Sequence, residues 1–149
     1  LPYYRNSEKD ASRAYMAAVR DAVRAGDVVI ATGQTYAVCA YYMRRWKIAA
    51  ALLSYPLSAQ DHPGYLNCLE EMARPQELEQ DAQRITELLD ARLGAGGSVV
   101  VLFSSPYEMN SRLLARFPPV FEPVLSPPGT YREALIGAPV RVLRFRRRA

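Results

Sequence analysis

The sequence predicts an α/β domain in which helices cover both faces of a mainly parallel sheet. Three observations predict it. Short β-branched runs bounded by turn residues, such as Val28-Val29-Ile30 and Val99-Val100-Val101, read as strands buried on both faces. Segments with apolar residues at helical spacing alternate with those runs, which is the pattern of a sheet wrapped by helices. The chain then turns β-rich near its end, punctuated by Pro127-Pro128-Gly129 and Gly137-Ala138-Pro139, the signals of an antiparallel hairpin. The expected fold is therefore three-layer and Rossmann-like, with a C-terminal antiparallel β-hairpin closing the sheet edge.

Each element has its own warrant. Ser7-Glu8-Lys9-Asp10 reads as a helix start, with Ser7 as the cap and acids favoured by the helix dipole. Small or apolar residues follow at Ala11, Ala14, Tyr15, Ala18, Val19, Ala22 and Val23, and Gly26 supplies a left-handed cap. The run 28–31 is the first strand, and Thr32-Gly33-Gln34-Thr35 opens a second helix over 36–46. Ala51-Leu52-Leu53-Ser54-Tyr55 is the second strand, stopped by Pro56, and 57–74 reads as a loop of mixed polarity. Pro75 suits the first turn of a long amphipathic helix whose stripe is Leu78, Ala82, Ile85, Leu88, Leu89 and Leu93. The glycines at 94, 96 and 97 break it, and 98–103 is the clearest strand. A helix over 107–117 and strand-like runs at 120–125, 131–136 and 140–145 complete the chain.

A chain of 149 residues fits one domain, 1–149, and can bury a sizeable core. Its 50% hydrophobic and 23% charged residues exclude a disordered polymer. The opening Leu1-Pro2-Tyr3-Tyr4-Arg5 has no apolar stretch of the signal-peptide kind. The longest apolar runs, 48–53 and 99–103, fall far short of the roughly 20 residues of a membrane span. The expectation is a soluble domain taken from a larger protein. Of the +4 net charge, much sits at Arg141, Arg144, Arg146, Arg147 and Arg148. That end reads either as a solvated terminus or as a contact for an anionic surface such as phospholipid headgroups. No basic helix, zinc-finger spacing or RNP-like motif accompanies it, so nucleic acid is not an expected partner. Cys39 and Cys68 suit no metal site; they read as one disulfide in an oxidising compartment or as two unpaired thiols.

Ligands of open α/β sheets bind beyond the carboxyl ends of the strands. Those ends supply Thr32, Gly33, Gln34 and Thr35 after the first strand, and Ser104, Ser105, Tyr107 and Glu108 after the third. The candidate ligand-binding residues are thus Thr32, Gln34, Thr35, Ser104, Ser105 and Tyr107. The first group can cradle an anion at a helix N-terminus or simply cap the helix and reverse the chain. It has one glycine where a dinucleotide fingerprint has three, and no Lys-Ser/Thr pair for a nucleoside triphosphate, so no cofactor is expected. The 94–97 glycines precede a strand, whereas phosphate loops follow one. His62, the only histidine, sits in His62-Pro63-Gly64, which reads as a polar turn. No Gly-x-Ser-x-Gly elbow is present, and no carboxylate spacing marks an acid–base pair. Trp46 and ten tyrosines could line a sugar-binding surface, although Tyr36, Tyr41 and Tyr42 at helical spacing read rather as core.

The opening segment carries a resemblance. Leu1-Pro2-Tyr3-Tyr4-Arg5, then Lys9-Asp10, Arg13-Ala14-Tyr15 and Gly26-Asp27-Val28-Val29-Ile30 resemble the stretch that follows the last transmembrane helix in bacterial membrane glycosyltransferases of the dolichyl-phosphate-mannose–protein mannosyltransferase type (the GT-C class). Ser12 stands where those proteins commonly have tryptophan. The resemblance implies a multi-pass parent using a polyprenyl-phosphate-linked sugar, with its catalytic acid in a membrane loop outside this stretch. It implies a non-catalytic domain on the extracytoplasmic, periplasmic face of the cytoplasmic membrane. Its partners would be the membrane-embedded part of the parent and a glycan or lipid-linked sugar. Tyr3, Tyr4 and Arg5 would lie at the headgroup boundary, with Arg144–Arg148 able to touch the same layer. Two other classes remain open: a free-standing nucleotide- or cofactor-dependent transferase binding at 32–35, and a protein-interaction module with an exposed apolar patch.

Overall fold

The computed structural model describes residues 2–61, 66–124, 130–132 and 139–149, with residues 2–11 and 130–132 given by their backbone. Its elements in chain order are α1 (Pro2–Ala22), β1 (Val28–Thr32), α2 (Tyr36–Arg45), β2 (Ala51–Tyr55), α3 (Cys68–Met72), α4 (Pro75–Arg92), β3 (Ser98–Phe103), α5 (Tyr107–Leu114), β4 (Phe121–Pro123), β5 (Thr130–Arg132) and β6 (Pro139–Arg147). One-turn 3-10 helices at Gly33–Thr35 and Leu57–Gln60 lie between β1 and α2 and after β2.

Strand order is β2-β1-β3-β6-β4, with β5 also paired to β6. β1 runs parallel to β2 and β3, whereas β6 is antiparallel to β3, β4 and β5. The sheet is therefore mixed rather than mainly parallel. The expected hairpin of β5 and β6 is present, but β6 does not close an edge. It is an interior strand, with β3 on one side and β4 and β5 sharing the other.

Alternation along the strands sends side chains to two separate cores. Val28, Ile30, Val99 and Val101 meet Leu78, Ala82, Ile85 and Leu89 of α4 and Met109 and Leu113 of α5. Val29, Ala31, Val100 and Leu102 meet Tyr15, Met16 and Val19 of α1 and Cys39, Tyr42 and Met43 of α2. A crossover from β2 back over β1 to β3 reverses direction relative to the β1–β2 connection. Two right-handed crossovers of opposite direction place their helices on opposite faces, as α2 and α4 lie here.

Several elements differ from the sequence reading for identifiable reasons. α1 starts at Pro2, not at Ser7, because proline fits a helix's first turn and nothing in 3–6 interrupts the helix. Ser7 is an interior helical position. The stretch 57–74 is not one loop; Asn67 caps α3 by accepting from the Glu70 N–H at 3.2 Å. In α4 all the striped residues are buried except Leu88, which is exposed beside the β2 edge. α5 ends at Leu114 rather than Phe117, and Phe117 folds in against Phe121 and Phe145. β4 covers only Phe121–Pro123 of the expected 120–125, and the expected strand at 131–136 falls mostly outside the described residues. Pro75, Gly26 (φ +90°) and β1, β2 and β3 stand as expected.

Asp27 ties the sheet's amino end together. Its carboxylate accepts from the Arg24 N–H (2.8 Å) and the Ser98 N–H (3.2 Å), joining the α1–β1 turn to the start of β3. Across the other face, Glu79 of α4 holds Arg112 of α5 and Arg116 just after it, at 2.8 and 3.0 Å. The Arg112 and Arg116 hydrogen bonds keep the Glu79 carboxyl below its ordinary pKa. Among the described residues no helix is long and apolar enough to cross a membrane.

Candidate functional site

β1 has β2 on one side and β3 on the other, so the strand order reverses at the β1/β3 boundary. Beyond the carboxyl ends of this pair lies the position where open α/β sheets bind ligands. The chain brings the 32–35 turn and the 104–107 turn to this point, as the sequence predicts.

The two turns are fastened to each other rather than held apart. The Thr32 hydroxyl donates to the Leu102 carbonyl and accepts from the Ser104 N–H at 3.0 Å. The Ser104 hydroxyl donates to the Thr32 carbonyl at 2.8 Å, and the two hydroxyl oxygens stand 3.1 Å apart. Thr35 donates to the Thr32 carbonyl at 2.7 Å, across the 3-10 turn. Thr32, Thr35 and Ser104 are all buried. Gly33 makes the approach possible: its φ is +58°, and a Cβ there would fall 2.7 Å from the Ser105 carbonyl oxygen and 2.8 Å from the Ser104 hydroxyl. The absence of a side chain is what closes the crevice.

Two of the remaining three candidates turn away from it. Gln34 is exposed, and its amide donates to the Leu66 carbonyl at 2.6 Å, which anchors the segment before α3. Tyr107 stacks on Phe103 at 5.5 Å and donates to the Pro139 carbonyl at 2.8 Å, fixing the start of β6. Ser105 is half-buried and offers its carbonyl oxygen towards Gly33. The structure thus brings together Thr32, Thr35, Ser104 and Ser105, and separates them from Gln34 and Tyr107. Asn110 was missed. It is buried in α5 and donates to the Ser104 carbonyl at 2.8 Å, while its Oδ1 has no partner among the described residues. An asparagine between Met109 and Leu113 on a buried helix face was the available signal.

The other candidates are placed as follows. Tyr3, Tyr4 and Arg5 lie in the first turns of α1, described by backbone alone. His62 lies outside the described residues. Cys39 and Cys68 are both free and belong to opposite sides of the sheet, one in the α2 core and one against the α4 core, so they do not form the disulfide. Burial pushes the Cys39 thiol up to about 12, and burial with the nearby Glu71 charge raises Cys68, so neither has the thiolate character of a nucleophile.

The arginine-rich end is not a loose tail: through Arg147 it belongs to β6, where partly solvated Arg146 pairs with Glu122 at 2.7 Å and Arg147 with Asp90 at 2.6 Å. Arg148 donates to the Pro118 carbonyl at 2.8 Å, and Arg144 to the Ser98 hydroxyl at 3.0 Å. Among the described residues no group of three or more His, Cys, Asp or Glu side chains is arranged to hold a metal ion. In comparisons with known proteins, no family model, no curated protein and no solved structure matches the chain.

Proposed function

We propose that this chain is the extracytoplasmic α/β domain of an integral membrane glycosyltransferase that uses a polyprenyl-phosphate-linked sugar. In this reading it serves the membrane part as a rigid, non-catalytic module that helps recruit the acceptor. Its architecture is then a three-layer, Rossmann-like variant in which β6 replaces further parallel strands, supported by the helices on both sheet faces.

The observation that carries the non-catalytic role is the fastened strand-end crevice. Hydroxyls that a transferase would turn towards a substrate are here donors and acceptors between β1 and β3. The membrane setting rests on the resemblance of the opening residues, which form α1, the Gly26-Asp27 turn and the interior strand β1.

The test uses the natural protein in bacterial membranes. A cysteine placed at exposed Glu87 is expected to react with a membrane-impermeant maleimide in intact cells. Gln34→Ala and Tyr107→Phe are expected to leave the rate of sugar transfer within about twofold of the parent, since neither would touch the reacting atoms. Labelling only after lysis, or a loss of transfer of about a hundredfold or more in either variant, defeats the reading.

A further inference from the structure

At the C-terminal end Arg146, Arg147 and Arg148 are paired with Glu122 and Asp90. A second cluster of cations lies on the face formed by α1 and α2 and the turns that follow them. Arg13, Arg24, Arg44, Arg45 and Lys47 make no ion pair with any described residue. Arg20 touches Asp21 at 3.6 Å and lies over the Trp46 ring at 4.8 Å.

Aromatic rings interleave with these cations. Tyr42 is buried and anchors two neighbours, Tyr41 edge-on at 5.1 Å and Trp46 at 4.7 Å. Tyr41 is 56% exposed despite its size. Together with Arg13 from α1 and Arg45 from α2, these rings border an open groove of about 840 Å³. On the other side of Trp46 a smaller recess of about 210 Å³ is bordered by Arg20, Arg24 and Lys47.

The chemistry of this lining is selective. Among the described residues no carboxylate borders the groove. Two guanidinium groups offer planar donor forks suited to a phosphate. The exposed ring of Tyr41 and the half-buried ring of Trp46 offer flat apolar surface beside them, against which the C–H face of a sugar or polyol packs. A volume of this size suits a small ligand. Cations gathered on one face repel one another, and an anion seated among them relieves that repulsion.

We propose that the α1–α2 groove binds phosphate esters of sugars or polyols, the phosphate held by Arg13 and Arg45 and the carbon body against Tyr41 and Trp46. The same chemistry is presented by a soluble glycosyl phosphate and by the headgroup of an anionic phospholipid. The groove carries it whether or not the chain belongs to a membrane enzyme, so failure here leaves the functional reading above standing, and the reverse.

Trp46 is the only tryptophan, so its fluorescence reports on the groove directly. The 149-residue chain is titrated with mannose 1-phosphate and, separately, with phosphatidylglycerol vesicles. Methyl mannoside, inorganic phosphate and phosphatidylcholine vesicles serve as controls. A saturable Trp46 change with either phosphate ester, weakened about tenfold or more in Arg13→Gln/Arg45→Gln, is the expected result. A response to mannose 1-phosphate identifies a soluble ligand, and a response to the vesicles alone identifies a lipid headgroup. Both arginines are exposed, so the variant keeps its fold, which far-UV circular dichroism checks; Tyr41→Ala weakens binding without altering charge. The proposal is overturned if neither ester changes the fluorescence, if the controls act as strongly, or if the arginine variant binds as well as the parent.

Discussion

Gly33 and Thr32 show how one position decides whether a strand-end crevice is open. At φ +58° an L side chain is strained by about 1–3 kcal/mol, and here its Cβ would also strike the Ser105 backbone carbonyl. Gly33→Ala is therefore expected to cost ~2–4 kcal/mol, read as a lowered urea midpoint with an unchanged slope. Thr32→Val keeps the shape but removes the hydroxyl that serves Leu102 and Ser104, leaving the Ser104 N–H buried without an acceptor. It should cost about 1–3 kcal/mol, against about 1 kcal/mol or less for Gln34→Ala at the rim. Equal costs for Thr32→Val and Gln34→Ala would mean that the crevice is not held shut by these hydroxyls. The meeting of the two turns was legible because strand ends are readable from local sequence, and four of the six candidates lie together there while Gln34 and Tyr107 turn elsewhere. The closure of the turns was not legible, because it depends on how near Gly33 comes to Ser105, residues far apart in the chain.

At the scale of an element, α2 ends in a way that leaves stability unclaimed. The Lys47 N–H donates to the Arg44 carbonyl at 3.3 Å and the Ile48 N–H to the Met43 carbonyl at 2.9 Å, the paired bonds of a Schellman cap. The residue that must adopt a left-handed conformation there is usually glycine, and here it is Lys47, at φ 52°. Lys47→Gly is expected to raise stability by ~0.5–1 kcal/mol, measurable as a higher urea midpoint. A lower midpoint would show that the lysine's own contacts outweigh its backbone strain. The sequence offered no sign of this cap, since Gly26 and the 94–97 glycines mark their turns openly and Lys47 does not. The same contrast runs through the other elements. β1, β2, β3 and the start of α4 are bounded by Gly or Pro and are read correctly, whereas α1 overruns a plausible Ser7 cap because Pro2 provides an earlier start. Leu88 looks like core by spacing alone, and is exposed because among the described residues no strand lies beyond β2 to receive it.

At the scale of the whole molecule, β6 matters most. The run 140–145 reads locally as a hairpin strand at the sheet edge, and its interior place was not readable because strand pairing is a non-local property that periodicity does not report. Val140 and Val142 enter the α1–α2 core, while Leu143 and Phe145 pack on the α4–α5 core. β6 pairs along β3 from Ser98↔Arg146 to Phe103↔Arg141 and carries β4 and β5 on its far side. The ion pairs at Arg146 and Arg147 are partly solvated and contribute about 0–1 kcal/mol each, so the ladder and the apolar residues hold the strand. Removing 141–149 would strip a long edge of β3 and open both cores together, a loss comparable with the ~5–15 kcal/mol that stabilises a domain. That truncation is expected to abolish the cooperative urea transition and the near-UV circular dichroism of the packed tyrosines. Removing 148–149 alone deletes little beyond the Arg148 contacts to Val120, Pro118 and Glu122, and should shift stability by roughly 1–2 kcal/mol. If the longer truncation still unfolded cooperatively near the parent midpoint, β6 would be an appendage and not the strand on which both halves of the sheet close.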